Sequence, residues 1–124
     1  MPSCKKIIRN TLGYLILALN TIAANHLPST GEIPLGEKIY HDRCEVCHGS
    51  QGDGKTFAAN ALFPPPKNFT AEATKKDLSR ERMIRSVTRG RPGTAMMPWE
   101  STLSKQEIHS VVNYIRQNLM GLHK

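Results

Sequence analysis

Cys44 and Cys47 are separated by Glu45 and Val46, and His48 follows directly. Thiols at that spacing lie about one turn apart on a short helix. They can add to the two vinyl groups of one porphyrin, and the imidazole next in sequence is then held beneath the ring, where it can bind iron. C-x-x-C-H is therefore a haem attachment pattern. Three other chemistries compete for it. A thiol–disulfide centre also uses C-x-x-C, but it comes with a βαβ pattern, and no alternating strand is visible in this chain. A zinc site needs two more ligands, and His41, His109 and His123 form no paired motif. A structural disulfide between Cys44 and Cys47 would close a very small, strained ring.

An iron that serves as a low-spin electron carrier needs a ligand on its other face, usually His or Met. Arg91-Pro-Gly-Thr-Ala-Met-Met-Pro-Trp99 supplies two adjacent methionines, Met96 and Met97, in a loop with no helical face for them to occupy. Met83, on a helical stripe, reads as core. The residues alone leave Met96 and Met97 both open.

The elements that must position these groups are helical. Pro34 opens a candidate helix to about Cys44, marked by Leu35, Ile39 and Tyr40. Residues 48–70 read as loop, with Gly49, Gly52, Gly54 and the run Pro64-Pro65-Pro66. A second helix is expected over Leu78–Arg89, with Ser79 as cap, Met83, Ile84 and Val87 as apolar stripe, and Gly90 as stop. The methionine loop follows. The last helix is the clearest: Ser104 and Glu107 form a capping box, and Ile108, Val111, Val112, Ile115 and Leu119 recur at helical spacing until Gly121. Loops this long are unusual in a compact domain unless something fills the space they enclose.

The 124 residues allow one domain. Lys5, Lys6 and Arg9, the apolar run Leu12–Leu19, and Ala23-Ala24 read as an export signal over residues 1–24, followed by a linker over 25–33 and the main domain over 34–121. An uncleaved membrane anchor is the alternative, though Asn20, Thr21 and Asn25 interrupt the apolar run early. Cys4 precedes that run and cannot be the acceptor of a lipoprotein signal. Cleavage removes Lys5, Lys6 and Arg9 but no acidic residue, so the formal charge falls from +7 to +4. The basic pI therefore gives no reason to infer nucleic-acid binding. Lys75, Lys76, Arg80, Arg82, Arg85, Arg89 and Arg91 nonetheless face only Asp77 and Glu81 within their span, a local excess of +5. Such a run is a solvated face or a surface that steers acidic partners.

Taken in order, these features resemble the class I c-type cytochromes, specifically small bacterial mono-haem members. The resemblance rests on Gly36-x-x-x-Tyr40, Cys44-x-x-Cys47-His48-Gly49, Gly52-Asp53-Gly54 and Pro64-Pro65-Pro66-Lys67-Asn68-Phe69. It continues through Gly90, Pro92-Gly93-Thr94-Ala95-Met96, Trp99 and Tyr114-Ile115. It implies an all-α fold, three to four helices wrapped around one covalent haem c. It also implies thioethers at Cys44 and Cys47, His48 as one axial ligand, and Met96 as the other. Met97 stays the alternative, because here Pro98 follows Met97 and not Met96. In similar proteins a carbonyl of the proline-rich loop accepts from the ligand histidine, which points to Pro65 or Pro66. Gly36 and Tyr40 are expected against the Tyr114 face of the last helix, and Trp99 against the haem.

With both axial positions filled, the expected activity is outer-sphere transfer of single electrons between redox partner proteins, outside the cytoplasm and in a bacterial periplasm. Membrane association is expected only if residues 1–24 are retained. Two alternatives remain: a dedicated haem c subunit of a larger oxidoreductase, or a haem sensor with a displaceable ligand.

Overall fold

A computed structural model describes residues 32–123. The expected signal over 1–24 and most of the linker over 25–33 lie outside the described residues. Within them the chain is helical, with no strand. Helix α1 spans Glu32–Arg43 and α2 spans Glu45–His48. A single 3-10 turn, Ala59–Ala61, interrupts the long loop. Then come α3, Glu72–Asp77, α4, Arg80–Arg89, and α5, Lys105–Tyr114, which continues as a π-helical turn over Ile115–Leu119.

That is more segments than the three to four helices expected, and the additions are short. The α3 segment, Glu-Ala-Thr-Lys-Lys-Asp, buries only Thr74. It has no apolar stripe, so hydrophobic periodicity could not reveal it. Pro34 lies inside the first turn of α1 and does not open it, a position that proline tolerates because the first amides of a helix have no partner within it.

The capping chemistry forms as the sequence suggests. The N–H of Arg82 donates to Ser79 Oγ at 3.2 Å and starts α4. The N–H of Glu107 donates to Ser104 Oγ at 3.3 Å, while that of Ser104 donates to Glu107 Oε2 at 2.8 Å. Two orphan amides of α5 are satisfied reciprocally.

The frame that holds the site is the crossing of α1 over α5. At Gly36 an added Cβ would lie 2.2 Å from the Ser110 carbonyl oxygen and 2.9 Å from Tyr114 Cβ. The missing side chain is what lets the two backbones meet. One turn on, Tyr40 is fully buried, its ring centroid 5.5 Å from that of Tyr114. Around this pair a single core gathers Ile39, Phe69, Leu78, Met83, Val87, Ile108, Val111, Val112, Ile115 and Met120. Of the stripe residues of α4 and α5, Ile84 and Leu119 are half-buried against this core and the others lie within it. Among the described residues, no helix is long and apolar enough to cross a membrane.

Candidate haem centre

Helix α1 ends where the chemistry begins. The Cys44 N–H still donates to Tyr40 O at 2.8 Å, and the N–H of His48 donates back to Cys44 O at 2.9 Å, so both thiols and the imidazole sit on one short turn. Beneath it the Tyr40 hydroxyl, buried, donates to Gly49 O at 2.6 Å. Gly54 N–H donates to His48 O at 2.8 Å. The two successive carbonyls of His48 and Gly49 are thus both held.

Cys44 and Cys47 are half-buried free thiols. Cys44 leans on the core, where burial pushes its pKa up to about 12, with a smaller contribution from the neighbouring Cys47. His48 has its pKa lowered by burial, an effect partly opposed by its hydrogen bond to Lys67. Its imidazole is therefore neutral near pH 7, the form that binds a metal. Nδ1 donates to the Lys67 carbonyl at 3.3 Å, which leaves Nε2 for a ligand.

The accepting carbonyl is Lys67's and not that of Pro65 or Pro66. The loop is pinned by Phe69 N–H donating to Gly52 O at 2.7 Å. In that register the Pro66 carbonyl oxygen is directed over Gly54, 3.2 Å from where a Cβ would stand. The next carbonyl reaches the histidine. Phe69 itself, which the sequence did not mark for a role at the site, stacks on His48 with centroids 4.7 Å apart and planes 14° from parallel. In the sequence it stood only as the last residue of the string Pro64-Pro65-Pro66-Lys67-Asn68-Phe69.

The methionine loop is anchored at both ends to the close of α4. Arg91 N–H donates to Met96 O at 2.8 Å, and Trp99 N–H donates to Val87 O at 3.0 Å. Inside it Thr94 Oγ1 accepts from Met96 N–H at 3.1 Å and donates to Arg91 O at 2.8 Å. Gly90 allows the closure. Its φ is +67°, and a Cβ there would stand 2.6 Å from Met96 O and 2.7 Å from Pro98 N. Met96 and Trp99 are half-buried against the core, as Cys44 is. Met97 points outward, 59% exposed.

The donor set fits a haem: two unpaired thiols, a neutral imidazole with one nitrogen free, and a half-buried thioether on a separate loop against the same core. A family model described as cytochrome C oxidase, cbb3-type, subunit III, matches residues 31–115. The chain belongs to this cytochrome c family. Cytochrome c-555 of Methylococcus capsulatus is 34% identical over 119 residues, covering 94% of this cytochrome and 87% of the relative. Cytochrome c55X of Stutzerimonas stutzeri is 34% identical over 73 residues, covering 56% of this chain and 53% of its own. Among solved structures, the KustC0563 c-type cytochrome superposes with a TM-score of 0.55 at 26% identity, over 72% of this chain and 98% of that one. A chain of the Kuenenia stuttgartiensis reducing HAO-like protein complex Kustc0457/Kustc0458 gives 0.56 at 25% identity, over 67% of this chain and 40% of that chain. This cytochrome is thus a small bacterial c-type protein that carries covalently bound haem c and passes electrons among redox partner proteins.

Proposed function

We propose that this cytochrome is an exported carrier of single electrons, working by outer-sphere transfer at an iron held by His48 and Met96. Cys44 and Cys47 are the thioether positions. The observation that carries the reading is the turn that presents two free thiols beside an imidazole whose Nδ1 is already bonded to Lys67 O. When bound, the haem supplies an iron that cycles between its ferrous and ferric states. The protein's part is to hold the ring and to keep water from the metal. The Lys67 carbonyl fixes the plane of the His48 ring and raises its basicity, and Phe69 restrains that ring from one face. A thioether ligand favours the reduced state and so a comparatively high potential.

Burial supports Met96 over Met97 as the second ligand, since a ligand must turn its sulfur inward. Exposed apolar side chains also support a haem-filled loop cage: Val46 in the attachment turn and Phe57 and Phe63 in the loop after it, the last two 95% and 94% exposed. A covalent macrocycle would give them an apolar surface to meet. Residues 1–24 act as the export signal in this reading, 34–121 as the haem domain, and the periplasm as the compartment.

The test is a pyridine haemochrome spectrum of protein matured with haem-attachment machinery. Met96 and Met97 are then replaced one at a time, and the weak sulfur-to-iron band in the far red is followed. Loss of the band in Met96→Ala with retention in Met97→Ala is the expected result; the reverse pattern transfers the role to Met97. A second reading, a dedicated subunit of a larger oxidoreductase, is favoured by one observation: a similar chain occurs in a multi-protein complex. Co-purification of the native protein at fixed stoichiometry would favour that reading.

A further inference from the structure

The fold engages only part of the basic span. Lys75 Nζ pairs with Glu72 and Arg82 with Asp77, each at 2.8 Å. Arg80 Nε donates to Asn113 Oδ1 at 3.1 Å. Three arginines remain beyond these. The side chains of Arg85 and Arg89 have no hydrogen bond or ion pair among the described residues, and that of Arg91 reaches only Ser86 Oγ, at 3.3 Å. Together with Ser86 and Thr94 they line a cleft of about 380 Å³ that has no carboxylate in its walls. Glu81, in the first turn of α4, bonds at that end of the helix with Ser79. Glu100 belongs to a separate recess with Ile84 and Lys105.

Arg85 and Arg89 stand four residues apart on one face of α4, a like-charge spacing that weakens a helix. Among the described residues no carboxylate forms an ion pair with either arginine. The cleft also lies directly beside the methionine loop. Arg91, one of its walls, binds Met96 O through its own N–H, and the exposed Met97 follows Met96. Cationic forks and an apolar contact therefore adjoin the place where the candidate ligand loop meets solvent.

We propose that the cleft of Arg85, Arg89 and Arg91 is the docking face for a carboxylate-rich patch on a redox partner protein. The proposal rests on the electron-carrier reading and adds where and by what chemistry the partner is met. A guanidinium presents a planar fork that matches a carboxylate in two parallel hydrogen bonds. A small anion could satisfy one such fork; an acidic protein surface can satisfy three and also cover Met97. Charge complementarity of this kind speeds encounter more than it tightens the complex, which suits a carrier that must leave after each electron.

The experiment uses the mature haem-loaded protein and measures, by stopped flow, its exchange of one electron with plastocyanin, an acidic copper protein. At low ionic strength the triple variant Arg85→Gln/Arg89→Gln/Arg91→Gln reacts about tenfold more slowly than wild type. The two converge as salt screens the charges. Lys76→Gln, which removes a charge from the same span but outside the cleft, stays near the wild-type rate. A triple variant that tracks wild type at every ionic strength overturns the proposal, as does a Lys76→Gln loss equal to that of a single arginine substitution. Loss of the far-red band in the triple variant also overturns it, because the arginines would then be serving the ligand loop itself. Inhibition by inorganic phosphate beyond that of chloride at matched ionic strength would make the cleft a small-anion site instead. Wild-type protein with no haemochrome spectrum would defeat the carrier reading rather than the docking face.

Discussion

Replacing Gly90 with alanine tests the link between backbone geometry and ligation directly. Gly90 adopts φ +67° and ψ −167°, a region open essentially to glycine alone, where another residue costs about 1–3 kcal/mol. The new Cβ would also stand 2.6 Å from Met96 O, 2.7 Å from Pro98 N and 2.8 Å from Met97 C. All three are backbone atoms, so no side-chain rotation relieves the contact, and overpacking of this kind adds about 1–3 kcal/mol. Holding the native loop therefore costs roughly 2–6 kcal/mol. Releasing it breaks two anchoring bonds, Arg91 N–H to Met96 O and Trp99 N–H to Val87 O, for about 1–3 kcal/mol. Release is the cheaper response before ligation is counted, and the proposed bond from Met96 sulfur to iron is what would oppose it. The expected result is a weakened or absent far-red band, a lower midpoint potential, and carbon monoxide binding to the reduced protein without denaturant. Gly93→Ala is the control. Gly93 also has a positive φ, +77°, but an added Cβ meets nothing within 4 Å, so it pays backbone strain of about 1–2 kcal/mol and keeps its band. A Gly90→Ala protein with wild-type band, potential and stability would refute the claim that this glycine closes the methionine loop.

Gly36→Ala gains about 1 kcal/mol of helix propensity but drives a Cβ to 2.2 Å from a backbone oxygen of α5. Overpacking there is expected to outweigh the gain by about 1–2 kcal/mol and lower the melting temperature by roughly 4–16 °C, read by circular dichroism on the haem-loaded form. Ser110 Oγ is buried with no hydrogen-bond partner among the described residues, so Ser110→Ala should be neutral or stabilising by up to about 1 kcal/mol; a clear fall in the same measurement would contradict the missing partner. Glu107 has its pKa lowered from 4.5, chiefly by the Ser104 backbone N–H and then by the Ser104 side chain. A group with a depressed folded pKa stabilises above its ordinary pKa and loses that contribution as pH falls through the folded value. The melting-temperature gap between wild type and Glu107→Gln should therefore be full at neutral pH and shrink below pH 4.5; a gap that widens in acid would contradict the capping box.

What could be read directly from the chain were features whose partners lie within a few residues. The thiol–thiol–imidazole spacing of Cys44, Cys47 and His48 is local chemistry. So are the Ser79 cap, the Ser104/Glu107 box and the apolar stripe of α5, because a helix turn is made by near neighbours. Gly90 as a helix stop was legible for the same reason, but its second duty, admitting the backbone of Met96 and Pro98, was not. Other features depended on how distant segments meet. Which carbonyl receives His48 turned on the register of a loop spanning nineteen positions, set by Phe69 N–H on Gly52 O. One residue of slip would exchange Lys67 for Pro66. The inward Met96 and outward Met97 are adjacent and chemically identical; the resemblance favoured Met96, and the two ends of their loop, tied to α4, are what turn it inward. The arginines divide between the two cases: along the chain they form one basic run, Arg82 pairs locally with Asp77, Arg80 is engaged by distant Asn113, and three are left facing solvent. Sequence determined the local chemistry because its forces act over one or two turns. Long-range packing decided which of several equivalent groups faces the centre, since that choice depends on atoms far away along the chain.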